Sequence, residues 1–350
     1  MSLKSAVQRC LVRNVRYLGR QYLHLSGYIW RHLPAQVTSH RVVLIYGAHL
    51  HWLSQRLEAR TQYTGTYFFR NRCELELLRR ILAPIQHGFT LAITILGCSK
   101  GAEVYSYLYS IRSERPDLTV ELRAVDIDSA VLEFAKEGCY SLIKVSPQKG
   151  SNSIPLSVDE RLTLRTFGDQ CTSVFERMSA DEIDVLFERH GVHARVKPQF
   201  RAGIKWQPGD AGDVKLVQQL GLQDIVVANR FLCHMRPEQS EVCLRNLARL
   251  VKPGGYLFVS GVDLAVRSKV AQDLGWTPVT ELIEEIHDGD PSLRRDWPLQ
   301  YWGLEPFDRR RSDRNIRYAS VFRMGVESPE IEPAKRIGAN QAQTCVNTYE

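Results

Sequence analysis

The stretch Leu91–Ser110, LAITILGCSKGAEVYSYLYS, limits the folds open to this chain more than any other. It begins with an apolar run, Leu91 to Leu96, continuous enough for a strand buried on both faces of a parallel sheet. A tight turn follows, Gly97-Cys98-Ser99-Lys100-Gly101, with a glycine at each end. Glycine permits positive φ and lets another molecule approach the backbone closely. Beyond the turn, Val104, Tyr105, Leu108 and Ile111 fall at helical spacing. Strand, glycine turn and helix open a nucleotide-binding α/β sheet, whose ligand sits at the carboxyl end of the strand against the helix N-terminus. The turn has neither the G-x-x-x-x-G-K-[ST] spacing of a phosphate loop nor the G-x-G-x-x-G of a dinucleotide site.

Later segments extend the sheet. Val120 to Val125 reads as a second strand, running into Asp126-Ile127-Asp128. An acid there is placed to accept hydrogen bonds from both hydroxyls of a ribose. A charged group ending a buried strand needs a ligand or a partner. Asp128 is the better cap for a helix starting at Ser129. A third buried run, Asp224 to Ala228, precedes Asn229-Arg230. A helix, Pro237 to Val251, then leads through Lys252-Pro253-Gly254-Gly255 into the strand Tyr256 to Val259.

This order, with VKPGGYLFVSG late in the chain, resembles a class I S-adenosylmethionine (SAM) methyltransferase. Five segments narrow the resemblance: TGTYFFRNRCELELL, GCSKGAEVYS, AVDIDSAVLEFAKEGCYS, LFERHGVHARVKPQFRAGIKWQPGDA and DIVVANRFLCHM. They are similar, in order, to motifs of the CheR-type methyltransferases, whose best-known members methylate glutamates of chemoreceptors. The resemblance covers about residues 61–262.

The resemblance implies a Rossmann-like α/β fold. Its sheet would be seven-stranded and mostly parallel, with a C-terminal antiparallel hairpin and a small basic helical segment in front. It implies SAM as cofactor, held by Gly97, Cys98, Ser99, Gly101, Glu103, Asp126, Ile127, Asp210, Ala211 and Asn229. It implies Arg70, Arg230 and His234 as catalytic candidates. Asp210 would reach the adenine amino group, or else be an ordinary turn aspartate. A guanidinium at Arg70 suits a substrate carboxylate, held by two parallel bonds; the plainer reading pairs Arg70 with Glu74 one turn on.

The chain departs from the family's pattern in two places. The usual Glu-Glu pair is Ala102-Glu103, and the strand-end Arg-Asn order is reversed to Asn229-Arg230, with His234 at an aromatic hydroxyl position. Neighbours on a strand point to opposite faces, so either Asn229 or Arg230 is expected to face the methyl group. His234 is a general-base candidate or a hydrogen-bonded pocket histidine. Lys100, beside a cationic cofactor, is expected to point outward, and Cys98 reads as a buried thiol.

A carboxylate is already ionised at neutral pH and needs no base. The leading expectation is therefore O-methylation of a carboxylate, a protein glutamate foremost. A small-molecule biosynthetic methyltransferase and a SAM-binding scaffold with a drifted site are the alternatives.

Elsewhere composition decides. Eight cysteines form no C-x-x-C pair, so no metal site and no disulfide framework is expected. No apolar run is long enough to span a membrane, and reduced thiols without a secretory segment point to the cytoplasm. Residues 1–60 hold nine Lys or Arg against Glu58 alone, a charge of +8 against +7 for the whole chain. Val12, Val15, Leu18, Tyr22 and Leu25 recur there at helical spacing, the pattern of a solvated basic cap or of a dock for an acidic helical protein. Residues 61–324 form the CheR-type domain, and 325–350 read as a disordered tail. ADEIDVLFERHG reads as a helix ending at Gly191, and VHARVKPQF and GIKWQP as strands. Thr280 to Glu285 reads as an acidic helix. YWGLEPFDRRRSDRNIRYASVFRM reads as two strands joined by a solvated arginine turn rather than a nucleic-acid patch.

Overall fold

A computed structural model describes residues 3–38, 40–57, 64–142, 173–290, 297–299 and 304–325. The loop SPQKGSNSIPLS and the tail after residue 325 lie outside them. The strands, in chain order, are Thr90–Leu96 (β1), Thr119–Asp126 (β2), Cys139–Ser141 (β3), Phe187–His190 (β4), His193–Val196 (β5), Ile204–Pro208 (β6), Gln223–Val227 (β7), Val251–Phe258 (β8), Thr277–Pro278 (β9) and Val321–Arg323 (β10).

The apolar run read as a buried strand is β1, with Leu91, Ile93, Ile95 and Leu96 fully covered. It lies mid-sheet, in the order β6-β2-β1-β7-β8-β10-β9. The first five of these strands run parallel; β10 is antiparallel to both β8 and β9. From β1 the chain passes to β2 on one side and later returns to β7 on the other. That reversal opens a crevice beyond the carboxyl ends of β1 and β7. Helix Ala102–Glu114 buries Val104, Tyr105, Leu108 and Ile111 on one face of the sheet, and helix Pro237–Ala248 buries Leu244 and Leu247 on the other. Each such side chain contributes about 1.5–3 kcal/mol through burial. Asp128 caps helix Ser129–Glu137, accepting from the Ala130 N–H at 2.9 Å.

Three expectations are corrected. The segment ADEIDVLFERHG is helical only over Ala180–Leu186; β4 follows, and Gly191, at φ +61°, turns it into β5. With β3 these strands make a separate small sheet, β3-β5-β4. Phe187 packs edge-on against Phe68, Tyr140 and Phe175, and this aromatic burial overrides the helix preference of the residues after it. Phe68 thus anchors the chain ahead of helix Arg72–Leu82 in the aromatic cluster of this small sheet.

Among its described residues the C-terminal segment holds one strand, not two. Residues 304–313 have no alternating apolar face; helix Arg314–Tyr318 follows, and the mate of β10 is β9, from WTPV. Arg309 and Arg311 pair with Glu284 and Asp313. The acidic helix is Ile283–Asp288.

In front stand helices Leu3–His32, Ala35–Thr38 and Arg41–Leu57. The two long ones pack through Leu23, Trp30 and Leu50, with Trp297 against them. The apolar stripe read from the sequence is not this buried face: Val15, Leu18, Tyr22 and Leu25 are all exposed. Among the described residues, no helix is long and apolar enough to cross a membrane.

Candidate active site

A cleft of about 1100 Å³, open mouth included, lies at the carboxyl ends of the central strands. Gly97, at φ +63°, starts its floor; a Cβ there would stand 2.7 Å from the Phe231 ring. The Ser99 N–H donates to Asp126 Oδ2 at 2.8 Å, and the Asp128 N–H donates to Oδ1 at 3.1 Å. Asp126 is thus fixed by main chain at the end of β2. Burial pushes its carboxyl above the usual range, and the two N–H groups partly offset this.

Of the expected cofactor residues, Gly97, Cys98, Ser99, Glu103, Asp126, Ile127, Asp210, Ala211 and Asn229 line the cleft. Gly101 does not. It sits behind the turn at φ +83°, where a Cβ would press on Ala135, Trp206 and Tyr105. Lys100 is corrected: its side chain is fully buried, with Nζ 5.9 Å from the Phe134 ring centre. Left-handed residues on both sides, Ser99 and Gly101, turn it inward, and an aromatic face attracts a cation.

Adjoining the cleft is a second cavity, the inner chamber, of about 700 Å³ with its open mouth included. Arg70, Glu103, Asn229 and Arg230 line both cavities. The Asn229 amide bridges the buried Glu74 and the partly buried Glu103, donating to Glu74 Oε1 at 2.8 Å and to Glu103 Oε1 at 2.9 Å. Its own Oδ1 accepts from Ser260 Oγ at 2.8 Å. The Tyr107 hydroxyl donates to Glu74 at 2.7 Å. Burial, with the charge of Glu103 beside it, raises the Glu74 carboxyl to about 7. Glu103 is also raised by burial, against the opposing pull of Asn229, Arg70 and Arg230.

Cations surround this pair. Asp290, 4% exposed, accepts from Arg177 Nη2 at 2.8 Å and from Arg230 Nη1. Arg70 donates to the Gly65 carbonyl at 2.7 Å, and no carboxylate among the described residues lies within ion-pair reach of it. Burial, then Arg230, lowers its pKa. Arg267 is lowered to about 9 by burial and is tied to the Val259 and Arg317 carbonyls.

The alternation argument for Asn229 and Arg230 is corrected as well. β7 ends at Val227, so neither residue is on a strand. Arg230 is left-handed, φ +65°, and packs on Gly261, where a Cβ would stand 2.8 Å from the Arg230 Cα. Both side chains consequently reach the cavities. A non-glycine residue held in this region costs on the order of 1–3 kcal/mol, and such strain gathers at functional sites. His234, in the turn Leu232–His234, lines the outer cleft but not the inner chamber.

Residues 64–166 match the CheR methyltransferase, SAM binding domain, and residues 183–259 match a methyltransferase domain. This chain belongs to the class I SAM-dependent methyltransferases. The methyltransferase is 25% identical over 255 residues to an uncharacterized 104.1 kDa protein of Rhodobacter capsulatus, covering 66% of this chain and 23% of that protein. It spans, in other words, about a quarter of that relative. Among solved structures it is similar to the DszA carbon methyltransferase at 14% identity and TM-score 0.31, over 65% of this chain and 40% of that one. It is also similar to magnesium protoporphyrin IX methyltransferase from Synechocystis PCC 6803 with bound SAM, at 11% identity and TM-score 0.32, over 68% and 86%.

The residues present fit SAM. Asp126 offers a buried carboxylate in the cleft, and Glu103 a partly buried one suited to a cofactor whose amino and sulfonium groups are cationic. Among the described residues no group of three or more His, Cys, Asp or Glu is arranged for a metal. The sequence reading of this methyltransferase missed Arg177, Ser260, Arg267 and Asp290, and saw Glu74 only as a surface partner for Arg70. Glu74 alone had a signal, an acid inside the quoted segment TGTYFFRNRCELELL. The others come from segments that only the fold brings together.

Proposed function

We propose that this methyltransferase transfers the methyl group of SAM to a carboxylate oxygen of an acceptor seated in the inner chamber. The observation that carries this is the position of Arg70 and Arg230 in the shared wall of cleft and chamber. When bound, SAM supplies a methyl group on a sulfonium that is its own leaving group. The protein's part is then placement. Asp126 holds the ribose end, and Glu103 favours the cationic end. Arg70, with its fork not engaged by a carboxylate, orients the acceptor oxygens. Arg230 is held in place for the same task by Asp290. The match to the CheR domain supports a protein glutamate as acceptor.

A second reading, a small carboxylic acid, is favoured by the apolar lining that Leu75, Leu264, Ile286 and Leu304 give the chamber. Incubation with methyl-labelled SAM and a lysate tests both. Base-labile label on protein supports the glutamate reading, and base-labile label in small molecules supports the second. Label stable to base would overturn a carboxylate acceptor.

A further inference from the structure

Helix Leu3–His32 has two apolar faces. Leu23, Ser26 and Trp30 are buried toward helix Arg41–Leu57. Val15, Leu18, Tyr22, Leu25 and Ile29 are exposed by 66%, 65%, 40%, 61% and 52%. Steps of three and four residues alternate along this second set, the spacing of a heptad seam that packs against another helix. The neighbouring helix continues the same face with Val42, Ile45, Tyr46 and Trp52, exposed by 67%, 63%, 41% and 50%. The Tyr22 hydroxyl donates to the Tyr46 hydroxyl at 3.1 Å, which ties the two stripes into one surface. Tyr46 in turn donates to Ser26 Oγ at 3.0 Å. These hydroxyls already have partners, so covering them strands no polar group.

We propose that this surface joins two copies of the chain, two helix pairs closing into a four-helix bundle. None of its nine side chains is charged, and the one guanidinium stacked on them among the described residues, Arg56 at 3.8 Å over the Trp52 ring, caps the end of the patch and does not interrupt the seam. Arg16, Arg20 and Arg31 fall on the other side of the helix at 3.6 residues per turn, and Arg20 donates to the Leu57 carbonyl. Pairing two copies through the apolar side keeps these basic stripes apart. A two-fold contact requires a patch complementary to itself, and an uncharged heptad seam meets that condition. Nine such side chains losing on the order of 100 Å² each come to roughly 900 Å² per copy, against about 800 Å² per partner in a standard interface.

The test is sedimentation of the full chain from about 1 μM to about 50 μM, with SAM binding and helix content as controls. Wild type should sediment as a dimer. The double substitution Leu18→Glu, Ile45→Glu should weaken association by roughly a hundredfold or more and leave SAM affinity intact. Arg16→Glu with Arg20→Glu should leave the dimer unchanged. If the glutamates unfold the helices, Leu25→Ala with Ile29→Ala reads the same contact more gently. A wild-type monomer at the highest concentration overturns the proposal, as does a dimer indifferent to the seam substitutions. A monomer that floats with phosphatidylglycerol vesicles would assign the face to lipid instead.

Discussion

The outer cleft and the inner chamber share a wall but are built by different means. The cleft is shaped by main chain: the turn of residues 97–101, and two N–H groups that fix Asp126. The chamber is shaped by side chains drawn from residues 67–75, 103–107, 229–230, 260–267, 286–290 and 304–320. It holds Arg70 and Arg230 against Glu74, Glu103 and Asp290, with Arg267 beside them, and neighbouring charges there bear on Arg70, Glu74 and Glu103. The cofactor cleft is thus a local property of the chain, whereas the chamber, the proposed acceptor site, is a property of the assembled fold.

The sharpest break between them is pH. Glu74 is raised from 4.5 to about 7 in the folded protein. Its contribution to stability is full below pH 4.5 and is lost as pH rises through 7, a change of about 3 kcal/mol. Urea unfolding at pH 5 and pH 8 should show this loss in wild type and not in Glu74→Gln. Equal losses in both would mean that the chamber does not titrate there.

Arg70→Ala should lower methyl transfer roughly a hundredfold, about 3 kcal/mol of lost positioning, while SAM affinity by calorimetry moves far less. Arg70→Lys should recover only part, because an ammonium lacks the fork. Parallel loss of SAM binding and transfer would erase the distinction between the two cavities. Asp126→Ala should do the converse, weakening SAM binding about tenfold to a hundredfold, as loss of a charge-assisted contact does. Unchanged affinity would remove Asp126 from the cofactor site.

The smallest effect concerns Cys98, buried in the cleft with its thiol pushed well above the usual range by burial. Cys98→Ala should cost about 1 kcal/mol in denaturant stability and leave transfer within a few-fold. Abolished transfer would make that thiol a nucleophile.

The same contrast explains what the sequence could show. A strand, a glycine turn and an acid at the next strand end are neighbours in the chain, so Gly97 and Asp126 could be read directly. Asp290 meets Arg177 and Arg230 across 113 and 60 residues, and no local pattern announces such a meeting. A cationic cofactor beside Lys100 argues for an outward side chain, while two left-handed neighbours dictate its inward direction. Periodicity marked Leu18 and Tyr22 as one face of a helix. It carried no information on whether that face or the Leu23–Trp30 face would be the covered one.

Gly47 stands between two indoles: a Cβ there would lie 2.6 Å from the Trp30 ring and 2.4 Å from that of Trp297. On the same helix His51 Nδ1 donates to the Pro298 carbonyl at 3.2 Å, and Ser54 Oγ donates to the Leu299 carbonyl at 2.7 Å. Leu304, a few residues along the chain, lines the inner chamber. Helix Arg41–Leu57 is thus fastened to residues 297–299 by an indole contact and two hydrogen bonds. If the acceptor sits in the chamber as proposed, whatever docks on the front helices would bear on the choice of acceptor before it bears on the methyl donor.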